Sequence, residues 1–202
     1  MHRAIFMTAA AAAALSLAAC NKPADKTATD AATAANQPVN AAQDTVGAAV
    51  GQTSASTLGS HDTGAFVSNA SQGDMYEIEA GKIAQARSKN ADVKGFGKMM
   101  VTEHTAMTNE MKPLIAAAGQ TPADKLDERR QGFIDNLKQA TDANFDKSYI
   151  DQQVAAHGEA LTLMQGYADG GTDAGLKAGA AKAVPKVQKH LDQAKTIQAT
   201  VK

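Results

Sequence analysis

Three histidines, His104, His157 and His190, stand where apolar residues belong. The stretch FGKMMVTEHTAMTNEM (96–111) places Phe96, Met100, Met107 and Met111 on one helical stripe, and His104 fills the slot between the second and third. His157 lies about two helical turns from both Ile150 and Met164, and His190 the same distance from Ala183 and Ile197. An imidazole in core phase must find a hydrogen-bond partner or an ion, because burial without either is costly. Imidazole nitrogen suits first-row transition metals such as Zn, Cu, Fe and Ni. The carboxylates best placed to join are Glu77 and Glu79, in YEIEAG (76–81).

Two chemistries fit such a set. One is a transition-metal site, with Zn, Cu or Fe as candidate ions. The other is a buried polar layer in which Glu and His side chains hydrogen-bond one another and fix register at some cost in stability. Both require the rings to meet; a third arrangement turns them to solvent. The Glu-x-x-His pair of di-iron carboxylate bundles is absent, since Val101, Val154 and Val187 stand three residues before the histidines, and no His-Glu-x-x-His occurs. Met99, Met100, Met107 and Met111 read as core filler. Glu103, Glu110 and Glu159 are assigned to solvated faces. No Gly-rich phosphate loop and no nucleophile–base set with supporting context is present, so a binding or structural module is expected over an enzyme.

The elements that must carry these residues are helical. No window shows sustained β-type alternation, and alanine is the commonest filler. Long helices are expected over 63–89, 91–118, 142–168 and 173–200, with a short one over 127–139. Asp62 or Thr63 caps the first, Asn90 the second, and Thr172 the last; Gly119 ends the second. Pro113 and Pro185 fall inside helices whose apolar period continues beyond them, which implies a kink and not a stop. Four helices of similar length, each with one apolar stripe, argue for an all-α four-helix bundle. The long 119–141 connection leaves both the up-down-up-down and the crossover topology open.

Height supports a shared layer. The segment midpoints fall near residues 76, 105, 155 and 186, so no histidine is displaced by more than about 6 Å from its helix centre. Reflecting His104 through the 90–91 turn lands on Glu77, with Glu79 also in reach.

The chain opens MHRAIFMTAAAAAALSLAAC, a short basic start followed by an apolar run too short to span a membrane comfortably. Residues 1–19 therefore read as a signal peptide. Leu17-Ala18-Ala19-Cys20 resembles the lipobox of bacterial lipoproteins, which implies cleavage before Cys20 and lipidation of the only cysteine in the chain. Asn21 in place of Asp favours, by the same resemblance, anchoring to the outer membrane, on the periplasmic side. Residues 21–62, with no aromatic residue and few apolar ones, read as a disordered tether reaching roughly 35–40 Å. A short helix around residues 41–50 is compatible with their composition. The expected partner is thus a membrane, through the lipid. Lys plus Arg is 20 against 21 Asp plus Glu, and no basic block points to nucleic acid.

EIEAGKIA (77–84), VKGFGKMMVTEHT (93–105), FDKSYIDQQVAAH (145–157) and VPKVQKHLDQA (184–194) together resemble the bacterial family of domain of unknown function 4142. The resemblance covers about residues 63–200. It implies a ferritin-like bundle with the short helix in the crossover between the second and third long helices, and it singles out Glu79, His104, His157 and His190. It supplies no substrate. Two positions depart from the family's habit: Glu103 stands where Asp is common, and Gly158 where a longer polar residue is usual.

Overall fold

In the computed structural model, the backbone is described over residues 26–201 and the side chains over residues 40–201. The signal peptide and Cys20 lie outside the described residues. Among those described, the chain is all-helical: α1 (Lys26–Ser56), α2 (Thr63–Arg87), α3 (Ala91–Ala117), α4 (Glu128–Gln139), α5 (Asp142–Gly170) and α6 (Ala174–Gln198).

The helix ends follow from local chemistry. Asp62, Asn90, Asp127 and Asp173 each accept a backbone N–H of the first turn that the helix cannot satisfy itself. The expected cap Thr172 is displaced by its neighbour Asp173, whose carboxylate takes the N–H of Leu176 at 2.8 Å; the Thr172 hydroxyl pairs instead with Thr63. Gly119 ends α3 with φ of 68°. Its N–H reaches Ala116 O and that of Gln120 reaches Ile115 O, the paired bonds of a Schellman stop. α3 and α6 run on through Pro113 and Pro185.

α2, α3, α6 and α5 close a ring, each packing on the next. Directions can be read from the cross-helix pairs. Asp74 meets His104, Thr63 meets Tyr167, Glu110 meets Lys186, and Gln198 meets Asp151. Every neighbouring pair in the ring is therefore antiparallel, and α3 and α5 run the same way. The 118–141 connection must consequently travel back along the bundle, and α4 lies within it.

Glycines set the register of α2 on α3. A Cβ on Gly81 would stand 2.6 Å from Gly97 O, and one on Gly97 would stand 2.8 Å from Gly81 O, so two backbones touch at this crossing. The core divides into two apolar clusters. One gathers Tyr76, Phe96, Met100, Ile134, Tyr149, Ile150 and neighbours; the other gathers Phe66, Met107, Ile115, Leu163, Tyr167, Leu176 and Val187. Along α3, α5 and α6 the histidine lies between residues of the two clusters.

The expected tether is helical instead from Lys26 to Ser56, and its later part docks on α4 and α5. Few large apolar residues are needed because Gly47, Gly51 and Ala55 repeat every four residues on one face of α1, and Gly59 continues the close approach in the turn that follows. A Cβ on Gly47 would stand 2.7 Å from the Phe133 ring, and one on Gly59 2.5 Å from Leu163. Polar contacts complete the docking: Asp44 accepts from Gln152 and Asn136, and Arg129 donates to Gly47 O. Counting apolar side chains missed a helix that approaches by lacking them.

Candidate metal centre

α3, α5 and α6 deliver one histidine each to the middle of the bundle. His104, His157 and His190 are 3%, 1% and 0% exposed, so none faces solvent. Ring centroids lie 5.7 Å (His104–His157), 5.4 Å (His104–His190) and 5.4 Å (His157–His190) apart. One ligand atom from each ring lies within 4.8 Å of the others.

Each ring is held from outside by an acceptor. His104 Nδ1 bonds Asp74 Oδ1 at 2.8 Å, and Thr108 donates to the other oxygen of the same carboxylate. His157 Nδ1 donates to the backbone oxygen of Gln153 at 2.9 Å. His190 Nε2 bonds Glu103 Oε2 at 2.7 Å. A carbonyl or carboxylate oxygen accepts, so the proton of each neutral imidazole is committed outward. The remaining nitrogens, His104 Nε2, His157 Nε2 and His190 Nδ1, are buried and have no partner. In the neutral rings three lone pairs are thus left with nothing to accept from, and a charged His104 presents an equally unanswered N–H.

The carboxylates of α2 divide differently from expectation. Glu77 is buried, and its Oε1 lies 3.7 Å from His157 Nδ1, the outward nitrogen of that ring, while its Oε2 has no partner. It therefore lies beside the triad and is not a fourth member of the ligand cluster. Glu79 turns away and pairs with Lys138 at 3.0 Å near the surface. Asp74, unnoticed in the sequence, holds His104. The register explains it: Asp74 and His104, like Gly81 and Gly97, are symmetric about residue 89, because Ser88, Lys89 and Asn90 are all spent on the turn. Mirroring through 90–91 overshoots by almost a helical turn. Glu103 leaves the solvated face to hold His190, and Glu159 is buried between Arg129 and Arg130. Glu110 does remain exposed, paired with Lys186.

Burial and charge tune these groups in opposite directions. Burial pushes Glu77 up to about 7, with the nearby His104 charge opposing it. Burial alone would depress His104, but the Asp74 hydrogen bond and the charges of Asp74, Glu77 and Glu103 together outweigh it, leaving His104 raised. His157 is held well below the usual histidine range by burial and then by the His104 charge. His190 is lowered mainly by burial, against the pull of Glu103, which the His190 hydrogen bond in turn lowers. At neutral pH the layer therefore presents His157 and His190 as neutral donors, the form that binds metal.

No curated relative and no solved structure matches the chain. A family model described as Domain of unknown function (DUF4142) matches residues 47–197, a span that starts on the first glycine of the docked face of α1 and ends in the last turn of α6. The chain belongs to that family.

Proposed function

We propose that this protein is a metal-binding helical bundle held at the bacterial cell envelope, with His104, His157 and His190 as the ligands of one transition-metal ion. The observation that carries the reading is the polarity of the triad. A self-sufficient polar layer would have the rings hydrogen-bond one another, whereas here each ring's hydrogen bond goes to a carboxylate or carbonyl oxygen, one nitrogen of each is buried without a partner, and one ligand atom of each ring lies within 4.8 Å of the others. A cation answers all three lone pairs at once. Outer acceptors on each ring are what ligating histidines ordinarily have, since they fix the tautomer and raise ligand basicity. Tetrahedral ligation at 2.0–2.1 Å needs nitrogens about 3.4 Å apart, so the rings must draw in by several tenths of an ångström each. An all-nitrogen set favours Zn, Cu or Fe(II) over Mg or Ca.

The ferritin-like four-helix arrangement belongs to the same reading. It is supported by the parallel α3 and α5 and the long return connection between them. The ligand set differs from that of the carboxylate di-iron bundles, so a single-ion site is the natural proposal. The envelope location rests on the signal-like residues 1–19 and the lipobox-like LAAC ending at Cys20. Cys20→Ser should then move the protein out of the membrane fraction, and full retention there would defeat the anchor.

The central test uses untagged protein carrying Cys20→Ser, so that no thiol competes for metal. One equivalent of Zn²⁺, Co²⁺ or Cu²⁺ should bind with a Kd below micromolar, and His104→Ala or His157→Ala should weaken it at least 100-fold. Absence of any binding at micromolar metal would sink the proposal.

A further inference from the structure

A cavity of about 40 Å³ opens beside the triad. It runs between α2, α4 and α5, and its wall includes His104, His157, Glu77, Gly73, Arg129 and Glu159. At roughly 10–15 Å³ per water-sized occupant, it has room for about three heavy atoms. The protein supplies three nitrogen ligands and no fourth group within the cluster, the donor count of metal sites that keep a position for an exchangeable ligand. Glu77, 4% exposed, lines this cavity, and its Oε2 has no partner within hydrogen-bond distance, with the Gln153 amide beside the carboxylate.

We propose that this cavity seats a small exchangeable ligand of the metal, water at rest and replaceable by others of up to about three heavy atoms, with Glu77 Oε2 accepting its hydrogen bond. The inference rests on the metal reading above. When ionised, the Glu77 carboxylate can only accept and so selects protic ligands, and the cavity volume excludes anything the size of an amino acid. The outer side is closed by α1. The backbone at Gly51 presses on the Glu159 carboxylate and the Arg129 guanidinium, two groups of the cavity wall, so closely that any Cβ there would collide with both. Exchange therefore requires these side chains or α1 to give way, and large solutes are kept from the ion.

The experiment uses the full chain carrying Cys20→Ser, loaded with Co²⁺, and reads the visible absorption of the ion while azide is added. Azide should change the Co²⁺ spectrum of the parent protein saturably. Gly73→Leu is the variant that fills the cavity: Gly73 lines it, and a Cβ there meets nothing within 4 Å, so the new side chain starts in open space. It should bind Co²⁺ as the parent does and lose azide affinity at least tenfold. Glu77→Gln should bind azide several-fold more tightly, because an anion then faces an amide donor in place of a carboxylate. Failure to bind Co²⁺ defeats the metal reading and this one with it. Normal Co²⁺ binding with no azide response, or an azide response unchanged in Gly73→Leu, defeats this inference alone. An azide affinity unchanged in Glu77→Gln removes Glu77 from the ligand site.

Discussion

Two buried polar clusters lie within one bundle, and only one of them is complete. Around Glu159, every charge is answered. Arg129 grips the carboxylate with two nitrogens at 2.9 and 2.8 Å, and Arg130 adds a third contact at 2.7 Å while also holding Asp127. Around His157, the outward nitrogens are answered and the inward ones are not. A fold that closes its Arg–Glu cluster so fully has no general difficulty pairing buried polar atoms. The open triad is therefore a local property with a local cause, and the two clusters should respond oppositely to substitution.

The largest effect is expected at the closed cluster. Glu159→Ala leaves two guanidinium groups, 15% and 6% exposed, without their shared partner. Removal of one member of a buried ion pair costs about 3–5 kcal/mol. Urea denaturation monitored by circular dichroism should show that loss with little change in slope, and it should be the same with or without added metal. The next effect belongs to the open cluster and has the other sign. Metal at 100 times its Kd should stabilise the parent by about 2.7 kcal/mol, through binding to the folded state alone. A midpoint that does not move with metal would erase the distinction between the clusters.

Much of this contrast was legible in the residues. The core phase of His104, His157 and His190 placed the rings in the bundle and near one height, and single-residue patterns at Asp62, Asn90 and Gly119 located helix ends to within a few residues. What periodicity does not carry is register. Asp74 became the partner of His104 because a three-residue turn shifts the mirror point and two glycines lock the crossing, and neither quantity has an apolar period. The same blindness hid the docking of α1, whose contact surface is made of absent side chains. Glu159 was misassigned because its partners sit on α4, and only the direction of the return connection brings α4 onto α5.

A third measurement separates the clusters by pH. Glu77, pushed up to about 7 by burial, ionises in the unfolded chain near its ordinary 4.5. A folded pKa above the unfolded one means stability that is fully present below about 4.5 and lost as pH rises through about 7. Glu77→Gln cannot ionise and escapes that loss. Metal-free Glu77→Gln should therefore gain on its parent as pH rises from about 4.5 through about 7, by about 3 kcal/mol, with the gain levelling off above about pH 8. A difference between the two proteins that does not change over this range would show that Glu77 is not held in its burial-raised state.

The smallest expected effect is the most informative about the triad. His157→Leu removes one of the three inward lone pairs and keeps an apolar body of similar size. The Gln153 oxygen that accepted from the ring sits four residues back in α5, so it retains its own helical hydrogen-bond position and is not orphaned. Deleting a buried group that had no partner removes a penalty and breaks no bond on the inner side. The metal-free variant should thus unfold within about 1 kcal/mol of its parent, on the stabilised side. The stabilisation by metal should disappear in the same protein. Were metal-free His157→Leu to lose 3 kcal/mol or more, the triad would be a structural cluster of the same kind as Arg129, Arg130 and Glu159. The unpaired nitrogens would then have partners in solution, and the metal reading would lose the observation on which it stands.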